Sequence, residues 1–188
     1  MTIVSEEVKR LSRLVRAMLD LSRIDSGEVK MTTVKMDLTE MVCNILVASE
    51  QRIEQKRLSI TGLEECTNQE VYGDYDLLNQ VLYNLLDNAI KFTDEGGNIH
   101  VRLYREKGRV YASVRNTGEG IPPEEMPQIF ERFYKSDRSR GLDKNGVGLG
   151  LYIVHTVVRL HGGEVAVSSA PGEYTEFTFW IPEIIEKP

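Results

Sequence analysis

The hydrophobic residues follow helical spacing in some segments of the chain and strict alternation in others. Apolar residues three and four positions apart indicate amphipathic helices, which we predict over residues 4–23, 38–55, 84–93 and 148–160. Alternating apolar residues indicate strands, which we predict over residues 58–63, 99–104, 110–114, 164–169 and 174–181. We also predict a linker with a short strand over residues 31–37, a polar loop over 64–70 and a short helix over 124–130.

Strands joined in hairpins, with helices between them, predict an α/β (α+β) two-layer sandwich. The helix predicted over residues 4–23 has apolar residues on more than one face, which is typical of a helix in a bundle or coiled coil. Packing of this helix on its own domain is the alternative. Asp74 is the predicted N-cap of the helix that includes residues 84–93.

The polar side of that helix carries Asn84, Asn88 and Lys91. Asparagine is unfavourable inside a helix because its side chain competes for backbone hydrogen bonds. Two interpretations stay open. The helix has a solvated face, or the two amide oxygens hold a hard cation such as Mg²⁺ while Lys91 faces a phosphate.

Composition narrows the classes of partner. The net charge of −6 argues against nucleic acid or an anionic membrane as the main partner. Cys43 and Cys66 lack metal-ligand spacing and are too few for a disulfide framework, so we expect reduced, intracellular thiols. No apolar run approaches the roughly 20 residues that span a bilayer.

Two glycine-rich segments follow the helix of residues 84–93. Residues 116–121 form a turn after a strand, and Gly146, Gly148 and Gly150 open a helix whose free N–H groups suit phosphate. The second segment fits neither the Walker pattern nor the dinucleotide pattern, which requires glycine where Leu151 stands. Residues 132–144 carry five positive and two negative side chains, which suggests a mobile lid over phosphates.

Four segments in this order resemble the nucleotide-binding motifs of sensor histidine kinases, which belong to the gyrase, Hsp90, histidine kinase and MutL group. They are NLLDNAIKFT at 84–93, NTGEGI at 116–121, IFERFYKSDRSR at 129–140 and GVGLGLYIV at 146–154. The resemblance implies a mixed, largely antiparallel sheet with helices packed on one face. It implies the second helix of a dimerisation and phosphoacceptor hairpin at 1–27, a linker at 28–36 and an ATP-binding catalytic domain at 37–188.

The resemblance also implies roles for individual residues. Asn88 matches the Mg²⁺ ligand, and Asn84 and Lys91 match positions that assist metal and phosphate binding. Asn116 occupies the adenine-reading position, where aspartate is usual, and Tyr174 stands where a glycine is common. The implied catalytic positions are Asn84, Lys91, Arg132 and Arg138. The remaining implied ATP contacts are Phe92, Gly118, Gly120, Ile121, Phe133, Tyr134, Lys135, Gly146, Val147, Gly148, Leu149, Gly150, Leu151 and Thr175.

The implied reaction transfers the ATP γ-phosphoryl to a histidine imidazole and then to an aspartate of a response-regulator receiver domain. His100, His155 and His161 lack the sequence context of the acceptor, so we expect that histidine on a helix outside this chain. The complete kinase would be a homodimer through its hairpin helices. We expect this chain to be the cytoplasmic portion of a membrane-anchored sensor, contacting membrane only through an absent N-terminal region.

Other functions stay open beside this one. A related ATPase would need a glutamate general base at the position of Asn84, and an amide cannot act as one. A serine kinase acting on a regulatory partner is a second alternative. The third is a non-catalytic docking or dimerisation module with a degenerate nucleotide site. The departures at Asn116 and Tyr174 leave it open, and the intact Asn84, Asn88, Lys91 and glycine-rich run at 146–150 argue against it.

Overall fold

A computed structural model of the protein describes residues 31–66, 68–135 and 147–183. The helix predicted over residues 4–23 lies outside this part, as do Arg138 and Gly146. The strands are β1 (Thr33–Asp37), β2 (Ser59–Thr61), β3 (Glu70–Asp74), β4 (Asn98–Glu106), β5 (Arg109–Thr117), β6 (Glu164–Ala170) and β7 (Tyr174–Pro182). The helices are α1 (Leu38–Ala48), α2 (Glu50–Gln55), α3 (Tyr75–Phe92) and α4 (Gly150–Leu160), with a 3-10 turn at Leu63–Glu65.

The main sheet has five strands in the order β2-β4-β5-β7-β6. The pair β2–β4 is parallel, and the other neighbours are antiparallel. Strands β1 and β3 form a separate antiparallel pair. Alternate residues of β4, β5 and β7 are buried together with the apolar sides of α1, α3 and α4 in one core, which confirms the predicted sandwich with helices on one face.

Helix α3 shows how the hydrophobic pattern produces this packing. Asp74 is its N-cap, and the Asp74 carboxylate accepts a hydrogen bond from Leu77 N at 3.2 Å. Seven apolar side chains on one side of the helix are buried, from Leu78 to Ile90. Asn84 and Asn88 are half-buried on the remaining side, so the predicted helix and its N-cap are confirmed.

Three predicted elements are wrong in detail. The helix predicted over 38–55 is interrupted at Ser49, whose backbone leaves helical geometry with φ −102° and ψ 2°. The short helix predicted over 124–130 forms successive turns, because its backbone hydrogen bonds reach three residues back, as from Gln128 N to Glu125 O. The loop predicted over 64–70 contains the 3-10 turn and the start of β3.

Lys56 caps the C-terminal end of α3. Its ammonium donates to the backbone oxygens of Ile90, Lys91 and Thr93 at 2.8–2.9 Å. Burial lowers the pKa of Lys56, and the three carbonyls supply the acceptors that a half-buried ammonium requires. The cap therefore fixes the last turn of the helix that carries Asn84 and Asn88.

We expect Lys56→Met to destabilise the fold by about 2 kcal/mol, because methionine keeps the aliphatic stem and removes all three charge-assisted hydrogen bonds. Chemical denaturation measures the change in unfolding free energy. Lys107→Met is the matched control: its side chain is 87% exposed, so we expect a change within about 0.5 kcal/mol. Equal effects of the two substitutions would contradict the capping role.

In the part of the chain that the structure describes, no helix combines the length and hydrophobicity required to cross a bilayer.

Candidate functional site

The N-terminus of α4 lies against the polar side of α3. A Cβ atom added to Gly150 would lie 3.4 Å from Asn84 Oδ1. Asn84 Nδ2 is buried and has no hydrogen-bond partner among the described residues. A buried amide donor without a partner costs about 1–3 kcal/mol, so this carboxamide is a candidate ligand-binding group.

The glycine-rich segment before α4 is fixed by close backbone contact. Gly148 has φ +74°, and a Cβ atom there would lie 2.6 Å from Tyr134 O. Helix α4 then starts at Gly150 without a side-chain cap. Its first N–H groups have no intrahelical acceptor. Because Gly150 lies next to Asn84, these N–H groups start beside the Asn84 carboxamide.

Asn88 lies one turn after Asn84 on α3. It is half-buried, and its side chain makes no hydrogen bond within the described part of the chain. Lys91 forms an ion pair with Asp87 at 2.7 Å, and Arg52 of α2 donates to the same carboxylate at 2.7 Å. Asp87 thus holds the Lys91 side chain on the surface of α3, and Arg52 orients the Asp87 carboxylate. Our sequence analysis did not identify either contact.

The first glycine-rich turn, residues 116–121, packs between the end of α3 and the hairpin of β6 and β7. A Cβ atom at Gly118 would lie 2.7 Å from Phe92 O, at the end of α3, and one at Gly120 would lie 2.5 Å from Ala170 O. Ile121 N donates to Ser169 Oγ at 2.8 Å. Ser169 also escaped sequence reasoning, because no motif marks a serine in a strand.

Asn116 and Thr175 are direct partners in the β5–β7 register. Both are buried, with 5% and 8% of their surfaces exposed. Asn116 Nδ2 donates to Thr117 O at 3.1 Å, which fixes the orientation of the carboxamide because a carbonyl oxygen only accepts. Asn116 Oδ1 is therefore left as an acceptor.

Tyr174 stands where glycine is common in the family that the sequence resembles, but its side chain does not enter this site. Successive residues of a strand point to opposite faces, so Tyr174 lies on the face opposite to Thr175. There the Arg115 guanidinium lies 3.7 Å from the centre of the Tyr174 ring, and the Tyr174 hydroxyl contacts Ser168 Oγ at 3.2 Å.

The segment before the undescribed residues 136–146 packs partly on α4. The Arg132 guanidinium lies 4.6 Å from the centre of the Tyr152 ring and donates to the Tyr152 hydroxyl. Phe133 is 52% exposed and has φ +61°. Phe130 instead packs edge-on against Phe177, so of these two phenylalanine rings only Phe130 packs against the core.

The residues present fit a nucleotide with a hard cation. The described residues contain no cluster of three or more His, Cys, Asp or Glu side chains that could hold a metal ion. The oxygen donors at this place are instead the amides of Asn84 and Asn88. A cation such as Mg²⁺ binds to few protein oxygens and completes its shell with water and phosphate oxygens, so a two-amide site is sufficient.

Comparison with known proteins identifies the family of the chain. The family described as "Histidine kinase-, DNA gyrase B-, and HSP90-like ATPase" matches residues 73–185. The Sensor protein SrrB of Staphylococcus aureus is 32% identical over 183 residues, which are 97% of this chain and 31% of SrrB. The chain thus spans about a third of the length of the curated relatives that it matches.

Two solved kinases share the fold. The nucleotide-free catalytic domain of histidine kinase ThkA is 28% identical, with a TM-score of 0.72 over 84% of this chain and 99% of that one. Full-length ShkA in complex with AMPPNP is 27% identical, with a TM-score of 0.81 over all of this chain and 39% of that one. ThkA has also been solved with the response regulator protein TrrA (26% identity, TM-score 0.76, 99% and 51% coverage). The chain therefore belongs to the histidine kinase-, DNA gyrase B- and HSP90-like ATPases, with the fold of a histidine kinase catalytic domain.

Proposed function

We propose that this chain binds ATP with Mg²⁺ as the catalytic part of a sensor histidine kinase. The reaction transfers the γ-phosphoryl group to a histidine imidazole, for onward transfer to an aspartate of a response-regulator receiver domain. The observation that carries the proposal is Asn84 Nδ2, which is buried beside the N-terminus of α4 and has no hydrogen-bond partner among the residues that the structure describes. The ShkA complex with AMPPNP and the ThkA complex with TrrA support the same ligand and partner classes.

The chain's own residues position and neutralise the triphosphate. The N–H groups at the start of α4 donate to phosphate oxygens, and the absence of side chains at Gly148 and Gly150 lets the backbone approach. Asn88, with Asn84, would hold the Mg²⁺ ion, which supplies charge neutralisation on the phosphates when bound. Positioning and electrostatics account for most of the catalysis of phosphoryl transfer.

Lys91 can contact a phosphate without leaving Asp87. An ammonium has three donors, so the ion pair with Asp87 does not by itself prevent a contact with phosphate. The Asp87 carboxylate then orients the lysine stem, while another N–H points to a phosphate oxygen. In this proposal Asp87 and Arg52 set the direction from which Lys91 reaches the nucleotide.

Asn116 is the proposed reader of adenine. Its Oδ1 accepts from the exocyclic amine of the base, with Thr175 beside it in the register. The acceptor is uncharged, so the hydrogen bond is weaker than one to aspartate. Tyr174 does not occupy the space next to Thr175, because its ring stacks under Arg115 on the opposite face of the sheet.

Calorimetric titration with a non-hydrolysable ATP analogue, with and without Mg²⁺, tests nucleotide binding. We expect saturable binding that requires Mg²⁺ and is weaker for the matching GTP analogue, which presents a carbonyl where adenine presents its amine. Absence of binding at about 1 mM analogue would contradict the nucleotide site. Equal affinity for both analogues would contradict only the role of Asn116.

Transfer to histidine is tested separately in the complete kinase with ATP labelled on the γ-phosphate. The label should be lost in acid and retained in base, since the phosphoramidate bond of phosphohistidine is acid-labile. Acid-stable labelling would identify a hydroxyl acceptor instead and would favour the serine kinase alternative.

A further inference from the structure

His161 directly follows α4, and it forms a hydrogen bond with Asp74, the N-cap residue of α3. His161 is 1% exposed. Its Nε2 accepts the Asp74 backbone N–H at 3.0 Å, and its Nδ1 lies 2.8 Å from Val157 O. The two bonds require a lone pair on Nε2 and a proton on Nδ1, so they fix one neutral tautomer of the ring.

The His161-Gly162-Gly163 turn holds this ring in place. Gly162 has φ +73°, and a Cβ atom at Gly163 would lie 1.8 Å from Trp180 O of β7. On the other side of the ring, a Cβ atom at Gly73 would lie 3.0 Å from His161 Cδ2. The ring is therefore enclosed between the two elements that it joins and cannot shift without moving one of them.

Besides their packing in the shared apolar core, helices α3 and α4 approach each other through polar groups at two points. Asp74 and His161 meet at one end, and Asn84 and Gly150 meet at the other. With a rise of about 1.5 Å per residue, the two points are about 15 Å apart along α3 and about 16 Å apart along α4. The helices therefore run antiparallel, and the hydrogen bond from Asp74 to His161 joins them at one end.

We propose that His161 is a positioning residue for the nucleotide site. Its uncharged ring fixes the register of α4 against α3 and thereby the position of Gly150 relative to Asn84. The inference rests on the proposed function, because its consequence for binding depends on ATP phosphates lying between these two residues.

Protonation of the ring turns the Nε2 acceptor into a donor that faces the Asp74 N–H. Two donors repel, so the ring must move and the register contact is lost. The charged group that faces the ring is the Asp74 carboxylate, which already accepts from Thr32 N and Leu77 N. The neighbours Gly73, Leu78 and Val157 carry no titratable side chain.

The direction of the pH effect follows from burial, which lowers the pKa of His161 more than Val157 O and Asp74 raise it. The unfolded chain binds the proton more readily than the folded one, so the stability from neutral His161 is complete above about pH 6.5. It is lost as the pH falls from there through the lower pKa of the folded state. Nucleotide affinity should fall in the lower part of the same interval.

The test compares wild type, His161→Gln and the matched control His155→Gln. Glutamine cannot titrate but keeps an acceptor, and His155 lies half-buried on α4 with a pKa that burial also lowers. Affinity for the ATP analogue is measured at about pH 7.5 and at the lowest pH at which wild type stays folded, because burial places the pKa of His161 below the ordinary histidine value. Because the γ-phosphate itself titrates near pH 6, the deciding quantity is the difference between proteins.

We expect wild type and His155→Gln to lose affinity at the lower pH at least about threefold more than His161→Gln. An equal loss in all three proteins would overturn the inference. Hydrogen exchange of the Asp74 amide in wild type, without nucleotide, is the second measurement. Its protection should fall as His161 protonates, and constant protection would also overturn the inference. Absence of binding in wild type at the higher pH would instead refute the proposed function and leave the exchange test valid.

Discussion

Replacing Asn88 by alanine should abolish Mg²⁺-dependent nucleotide binding and leave the fold intact. We expect affinity for the ATP analogue to fall at least about 100-fold, or about 2.7 kcal/mol. The folded chain loses no internal hydrogen bond, since the Asn88 side chain makes none among the described residues. Alanine is also the better helix former by roughly 0.6 kcal/mol, so the thermal midpoint should rise slightly.

Asn79→Ala is the matched control for this prediction. Asn79 is a half-buried asparagine of the same helix, and its side chain likewise makes no hydrogen bond among the described residues. It lies about half a turn away from Asn88 around the axis. Calorimetry with and without Mg²⁺, and thermal unfolding, should show a stability change of the same sign for both variants and a loss of binding for Asn88→Ala only. Unchanged affinity in Asn88→Ala would refute its assignment to the metal.

Local sequence pattern was sufficient for the elements that form the core. Helix α3 was predictable because its apolar residues return to one side and Asp74 precedes them. The hairpin of β4 and β5 was predictable from alternation around Lys107 and Gly108. Both strands extend beyond the predicted ranges because their polar ends are paired through backbone atoms, which a hydrophobic pattern does not reveal.

Strand β3 could not be predicted from its own residues. It pairs with β1, far away in sequence, and Thr33 lies opposite Asp74 in the register. Non-local pairing of this kind is determined by tertiary packing, not by β-propensity. The interruption at Ser49 is similar, because apolar spacing continues across it while the backbone changes direction.

The motifs of the candidate site were visible in the sequence, but their contacts were not. Spacing along the chain cannot show that Gly150 meets Asn84 or that Asn116 lies opposite Thr175. Spacing does predict an ion pair between Asp87 and Lys91, which lie four residues apart on one helix, but not that Arg52 of α2 donates to the same carboxylate. The departure at Tyr174 shows the same limit, since only the strand register places that ring on the opposite face.

Gly148→Ala is the second substitution with a large expected effect. Gly108→Ala is its control, which separates backbone strain from steric overlap. Both glycines have φ +74°, so a methyl group costs each about 1–2 kcal/mol of backbone strain. At Gly148 the new Cβ would also lie 2.6 Å from Tyr134 O and 2.8 Å from Phe133 C. At Gly108 nothing lies within 4 Å. The difference between the two variants therefore measures the steric contact alone.

Backbone atoms cannot rotate away as the tip of a side chain can, so relief of this contact must displace the residues that lead into α4. We expect Gly148→Ala to lose about 3 kcal/mol of stability, strain and overpacking together. Affinity for the ATP analogue should fall at least about tenfold, because the N–H groups of α4 move away from Asn84. Gly108→Ala should lose only the strain energy and bind normally. If both variants bind like wild type, the start of α4 does not hold the phosphates; if both bind poorly, the cause is lost stability and not the contact at Tyr134.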